Sequence, residues 1–295
     1  MKRFLKWAGI IFGSLLAILL IAVGAVYVLS DRDLNSRYEI EPVAISIPEP
    51  DSTMLARGRH VSEVRGCTGC HGKNLGGEVM VDDPAFGRIS SANITSGAGS
   101  AVTDYTDRDW VRALRHGVAP DGRPLLLMPA NELIQLGRED LVAVIAYVKQ
   151  VPPVDNEPPE QKVGPIARML HLTQDDFPLL NVGKVDHSMS IPEVPVSGVN
   201  PEFGRYVAIA CQGCHGSDLA SPAPGPPDTP PPTDLSLLGE WSEDDFLLAV
   251  REGIRPNGDT LHSFMPRWES PTDEELLAVW SFIQTLEPTA EPSSQ

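Results

Sequence analysis

Cys67-Thr68-Gly69-Cys70-His71 and Cys211-Gln212-Gly213-Cys214-His215 decide the fold of this chain, and together they use all 4 of its cysteines. C-x-x-C-H is the pattern in which two thiols add to the vinyl groups of a haem and the next histidine binds its iron. The competing readings are a zinc half-site, a thioredoxin-like pair or a disulfide. Zinc needs two more thiol or imidazole ligands beside each pair, and no further cysteine exists. A thioredoxin-like pair belongs after a strand in a βαβ unit, and neither copy has that setting.

Each motif is followed by a Met-Pro pair, Met128-Pro129 and Met265-Pro266, 57 residues after His71 and 50 after His215. A lone methionine is usually core filling. Two at matching places in two repeats point instead to His/Met ligation, in which the thioether raises the iron's potential. The expected site residues are therefore Cys67, Cys70, His71 and Met128 for one haem, and Cys211, Cys214, His215 and Met265 for the other. His262 is the rival distal ligand in the second repeat; His116 and Met80 are weaker rivals in the first.

The repeat extends beyond the motifs. Gly58-Arg59-His60-Val61 precedes the first and Gly204-Arg205-Tyr206-Val207 the second. Thr106 with Asp109, and Ser242 with Asp245, read as capping boxes. Trp110 and Leu114, like Phe246 and Val250, are four apart and share a helix face. Gly117 and Gly253 suit left-handed helix ends. Pro-Asp-Gly (120–122) and Pro-Asn-Gly (256–258) read as turns leading to the methionine. A closing helix follows in each repeat, over 141–148 and over 276–283, the latter capped from Thr272. The expected fold is mostly α, with two tandem units of helix, C-x-x-C-H, loop, helix, methionine loop, helix.

These residues resemble a known family. Cys67–His71, Ser91-Ala92-Asn93-Ile94-Thr95, Trp110–Gly122 and Met128-Pro129, then Cys211–Gly216, Phe246–Gly258, Met265-Pro266 and Glu274–Trp280, are similar to the cytochrome c subunits of bacterial membrane-bound alcohol and gluconate-type dehydrogenases. Such subunits commonly carry three haems; this chain has motifs for two. The resemblance implies two cytochrome c domains with covalently attached haem c, and it suggests Asn93 and Arg88 as contacts to a haem propionate.

The N-terminus supplies the address. Lys2, Arg3 and Lys6 precede an uncharged run from Trp7 to Leu29, 23 residues long, or about 35 Å of helix at ~1.5 Å per residue. A cleaved signal peptide is the alternative, but its apolar region is shorter. The expectation is a retained single-pass anchor in the inner (cytoplasmic) membrane with the positive flank inside, leaving the remainder in the periplasm or cell exterior. The organisation reads as anchor 1–30, tether 31–52, cytochrome c domain 53–153, Pro-rich connector 154–200, second cytochrome c domain 201–288 and disordered tail 289–295. The connector is expected to wrap rather than to form a third core, with a short helix over 166–172. Pro222 to Pro232 is a proline-dense loop, read equally as a haem-edge loop or a spacer.

With 40 acidic against 23 basic residues and net charge −17, the chain is no nucleic-acid binder. No phosphate loop or nucleophile constellation is present. The expected function is electron transfer between a dehydrogenase or quinol-side donor and a terminal oxidase or soluble carrier. The expected partners are a membrane dehydrogenase, a respiratory complex, or a soluble cytochrome or cupredoxin. The chain would act as a carrier or subunit of an oxidoreductase complex, not as an enzyme by itself. The alternative is a haem enzyme, a dihaem peroxidase or a thiosulfate-oxidising cytochrome, with one labile iron.

Overall fold

The computed structural model describes residues 2–221 and 229–287. The expected tail, 289–295, and most of the proline-dense loop, 222–228, lie outside the described residues. The first helix, α1 (Lys2–Leu34), is apolar on every side. It is the one helix among the described residues long and apolar enough to cross a bilayer, a test that a signal sequence also passes. It runs four residues past the expected anchor, because Ser30, Asp31 and Asp33 find partners on the body of the protein.

The first repeat contains α2 (Ser52–Val64), α3 (Cys67–His71), α4 (Asp107–His116), α5 (Ala130–Leu133) and α6 (Arg138–Gln150). A connector helix, α7 (Pro165–Thr173), follows. The second repeat contains α8 (Pro201–Val207), α9 (Gln212–His215), α10 (Glu243–Glu252) and α11 (Asp273–Ile283). Capping follows the sequence. Thr106 and Asp109 box the start of α4, Ser242 and Asp245 that of α10, and Thr272 and Glu275 that of α11. Gly117 and Gly253 close α4 and α10 at φ 65° and 72°. That conformation clashes for a residue with a Cβ and is open to glycine.

The two repeats build their cores alike. In the first, α2 crosses α6 at Gly58, where an added Cβ would lie 2.0 Å from the Ala143 carbonyl oxygen. In the second, α8 crosses α11 at Gly204, with the corresponding distance to Ala278 at 1.9 Å. Gly58 and Gly204, each on the helix ahead of its motif, thus mark a backbone-to-backbone crossing in both repeats. Trp110, Val111, Leu114, Leu141, Val144 and Ile145 fill the first core. Phe203, Phe246, Val250, Leu276, Val279, Trp280 and Ile283 fill the second.

Two features depart from the sequence reading. The tether is bound down: Ile45 and Ile47 pack on the first core, and Arg112 Nε donates to the Ile40 carbonyl at 3.1 Å. The connector also builds structure. β1 (Val79–Asp83), β2 (Gly87–Ser90) and the connector's β3 (Lys162–Val163) form an antiparallel sheet in that order. Leu179, Leu180 and Val182 bury themselves with Ile89 and Val118 in a cluster shared with the first repeat. Its apolar residues have no regular spacing, so no periodic signal announces them.

Candidate haem sites

The route from α2 into α3 needs a sharp reversal. Gly66 provides it at φ 74° and places Cys67 at the start of the next turn. His71 then sits with Nδ1 2.8 Å from the Ala92 carbonyl oxygen. In the second repeat, His215 Nδ1 is 2.7 Å from the Thr233 carbonyl oxygen. A carbonyl only accepts, so each Nδ1 carries the hydrogen and each Nε2 keeps a lone pair for a metal. Burial lowers both histidine pKa values, against the raising effect of these hydrogen bonds. Both imidazoles are therefore neutral at physiological pH, as ligation requires.

The residues that hold these carbonyls in place explain Asn93. It is fully buried. Its Nδ2 donates to the Val154 and Asn156 carbonyls at 2.7 and 3.0 Å, and its Oδ1 accepts from Thr95 N and Oγ1 at 3.0 and 2.8 Å. The structure therefore corrects the propionate reading of Asn93: its amide pins the loop that aims His71. Arg88 pairs with Asp82 on the β1–β2 hairpin at 3.2 Å. In the second repeat Asp234, next to Thr233, accepts from Ser236 N and Oγ at 2.8 and 2.6 Å.

All four cysteines are unpaired thiols. Burial pushes Cys67 up to about 11 and Cys211 up to about 12, and raises Cys70 and Cys214 as well. A thiolate redox pair or thiolate metal site needs the opposite shift. Protonated thiols bordering apolar space have the chemistry of a haem-attachment pair.

In the second repeat the expected ligands meet around one cavity of about 590 Å³. Cys211, Cys214, His215 and Met265 all line it; Leu235, Leu238, Trp241, Phe246 and Ile283 supply apolar lining. Two thiols, an imidazole and a thioether around a mostly apolar space fit a haem by donor set and by volume. His262 also borders the cavity, but its Nδ1 accepts from Phe264 N at 3.3 Å and its ring stacks on Phe264. In the first repeat Cys67 and Met128 border the same core. Of its rival ligands, His116 Nδ1 is 3.0 Å from His187 Nδ1, and Met80 is an exposed strand residue.

The two methionine loops are held differently. Asn181 Nδ2, from the connector, donates to the Met128 carbonyl at 3.0 Å, and Leu127 N donates to the Leu179 carbonyl at 3.0 Å. In the second repeat the loop braces itself, with Arg267 Nη1 donating to the Met265 carbonyl at 2.9 Å. One pair of supports is common to both repeats. Arg115, buried in the first, donates to the Ile134 and Met189 carbonyls at 2.9 and 2.7 Å. Arg251 donates to the Trp268 and Pro271 carbonyls at 2.6 Å each. Sequence reasoning passed over this pair, although Arg115 and Arg251 occupy the same place in the aligned repeats.

The attachment helices lie at the junction of the repeats. Arg65, two residues before Cys67, donates to the Tyr206 and Val207 carbonyls at 2.8 and 3.2 Å. Tyr206 Oη donates to Asp140 at 2.5 Å, and His60 Nε2 is 2.9 Å from Glu275. Gln135 donates to Gln212 at 2.9 Å. Glu132 Oε1 lies 3.0 Å from where a Cβ on Gly213 would sit, so a carboxyl of the first repeat rests on the second attachment helix. Burial raises it to about 7, with Arg65 pulling the other way.

No family model matches the chain. Curated relatives do. It is 27% identical to the cytochrome c subunit of the quinone alcohol dehydrogenase of Gluconacetobacter polyoxogenes, over 84% of this chain and 58% of that protein. It is 26% identical to the fructose dehydrogenase cytochrome subunit of Gluconobacter japonicus, over 85% and 56%. It is 30% identical to the gluconate 2-dehydrogenase cytochrome c subunit of Pantoea cypripedii, over 82% and 62%. The chain thus spans less than two thirds of the length of these relatives. By sequence it is a homologue of c-type cytochrome subunits. More narrowly, those relatives are the cytochrome subunits of alcohol, fructose and gluconate dehydrogenases.

Proposed function

We propose that the chain is a membrane-anchored dihaem c-type cytochrome that relays electrons on the periplasmic or outer face of the inner membrane. Residues 53–153 and 201–288 would be its two cytochrome c domains. Cys67 and Cys70, then Cys211 and Cys214, would each hold one haem through thioether bonds. His71 with Met128, and His215 with Met265, would hold the two irons. A haem so held supplies a one-electron iron couple. The protein's part is to keep each imidazole neutral and aimed, supply a thioether, and exclude water with apolar walls. The cavity that gathers Cys211, Cys214, His215 and Met265 carries this reading. Two strapped or braced methionine loops favour a carrier with saturated irons over a haem enzyme with an open one.

The relatives' names support a dehydrogenase as electron donor, here read as a membrane-bound one. A terminal oxidase or a soluble cytochrome or cupredoxin would be the acceptor. Length and composition of α1 favour a retained anchor.

Haem counting by pyridine haemochrome tests the assignment. Two haems per chain are expected, falling to one in Cys67→Ser/Cys70→Ser and to one in Cys211→Ser/Cys214→Ser. An unchanged count in either double variant refutes it. Purification from native membranes in mild detergent tests the partner: a stoichiometric dehydrogenase supports the subunit role, and recovery alone makes the chain a tethered carrier.

A further inference from the structure

Trp7 opens the uncharged part of α1 and Tyr27 lies near its far end, twenty positions on. That is about 30 Å of helix at ~1.5 Å per residue, the hydrocarbon thickness of a bilayer. Trp and Tyr collect at membrane–water boundaries. In α1 the outer boundary therefore falls at Tyr27.

Helix α7 docks at that level. The Arg168 guanidinium lies 4.6 Å over the Tyr27 ring. Its Nη1 donates to Ser30 Oγ at 2.8 Å and to Asp31 Oδ1 at 2.6 Å. His171 Nε2 lies 3.2 Å from Asp33 Oδ2. Ala167 is fully buried against the body. Pro165, Met169 and Leu172, spaced i, i+4, i+7, form a stripe on the side away from Ala167. Pro165 is exposed, Met169 is 45% exposed, the flanking Ile166 is 37% exposed, and Leu172 is half-buried. Helices that lie in a membrane interface bury such a stripe among the acyl chains.

We infer that α7 lies in the interfacial layer of the membrane that α1 crosses, with Pro165, Ile166, Met169 and Leu172 against phospholipid. The inference rests on reading α1 as a retained anchor. The contact is with the acyl–glycerol zone and not with anionic headgroups, because the stripe is apolar and exposed Asp175 and Asp176 follow it. Since β3 and α7 belong to one connector that also straps the Met128 loop, this contact sets how the first repeat stands on the membrane.

Photo-crosslinking tests it. The full-length holoprotein, carrying benzoylphenylalanine singly in place of Met169, Ile166, Leu20 or Leu248, is irradiated in phosphatidylcholine nanodiscs. Lipid adducts are then read by mass spectrometry. Leu248 on α10 is exposed much as Met169 is, at 41%. Adducts are expected at positions 20, 166 and 169 and not at 248. Adducts at 20 alone overturn the proposal and leave the anchor standing. Equal adducts at 169 and 248 also overturn it, as indiscriminate lipid contact. No adduct at 20 refutes the anchor itself, and the proposal with it.

Discussion

Substituting Gly204→Ala inserts a methyl group where α8 and α11 touch backbone to backbone. The added Cβ would lie 1.9 Å from the Ala278 carbonyl oxygen, 2.4 Å from its carbon and 3.0 Å from Phe282 Cβ. Close C···O contacts settle at about 3.3 Å, so the helices must part by more than ~1 Å. Overpacking costs ~1–3 kcal/mol, and a backbone obstacle that cannot rotate aside places this case at the upper end. Alanine returns ~1 kcal/mol of helix propensity over glycine. The net loss is about 2 kcal/mol. At ~4–8 °C per kcal/mol for a domain of this size, the Tm of the second repeat should fall by roughly 8–16 °C. Thermal melts of the holoprotein, followed by far-UV circular dichroism and Soret absorbance, give the value. Gly58→Ala should act alike in the first repeat, where the Cβ would lie 2.0 Å from the Ala143 oxygen. Gly183→Ala, whose Cβ meets nothing within 4 Å, is the control. An unchanged or raised Tm in Gly204→Ala, with the control silent, would refute the crossing and the packing argument built on it.

Met265→Leu and Met128→Leu should each lower the potential of one haem by on the order of 0.1 V, well inside the ~0.8 V that axial ligands span. Each should also open that iron to carbon monoxide; an unaltered redox titration would show that the assigned ligand is wrong. Asn181→Ala removes the donor to the Met128 carbonyl, worth ~1 kcal/mol, and should raise carbon monoxide access to the first haem roughly fivefold while sparing the second. Equal effects on both haems would count against the strap. Glu132 binds its proton more tightly folded, near 7, than unfolded, near 4.5. Between those values the folded state holds more protons, so stability should fall as pH rises through them. Urea midpoints at about pH 5 and about pH 8 should therefore differ less in Glu132→Gln than in the parent protein; an equal difference would show that Glu132 is not the titrating group.

Much of this was legible in the chain because local rules produced it. The capping boxes at Thr106, Ser242 and Thr272 and the left-handed ends at Gly117 and Gly253 depend on a few neighbouring residues, and the structure has them where the sequence places them. The eight candidate haem residues were readable because C-x-x-C-H and Met-Pro recur at matching places in two repeats. Asn93 shows the limit. Sequence suggests a propionate contact for this asparagine beside the first site, whereas its Nδ2 reaches carbonyls about 60 positions away at Val154 and Asn156. No local pattern encodes that closure.

Sequence alone therefore determined the motif pairs, the helices with their ends, and an apolar span, because thioether spacing, capping and hydropathy act over a few residues. Tertiary structure decided which carbonyls orient His71 and His215, and that a connector residue braces one methionine loop while Arg267 braces the other. It also decided that Glu132 rests on the second attachment helix and that α7 docks on α1. The Arg267 brace aside, those contacts join segments from about 20 to more than a hundred residues apart. They arise only when burying the apolar faces brings distant backbone and side-chain groups together and obliges the buried polar ones to find partners.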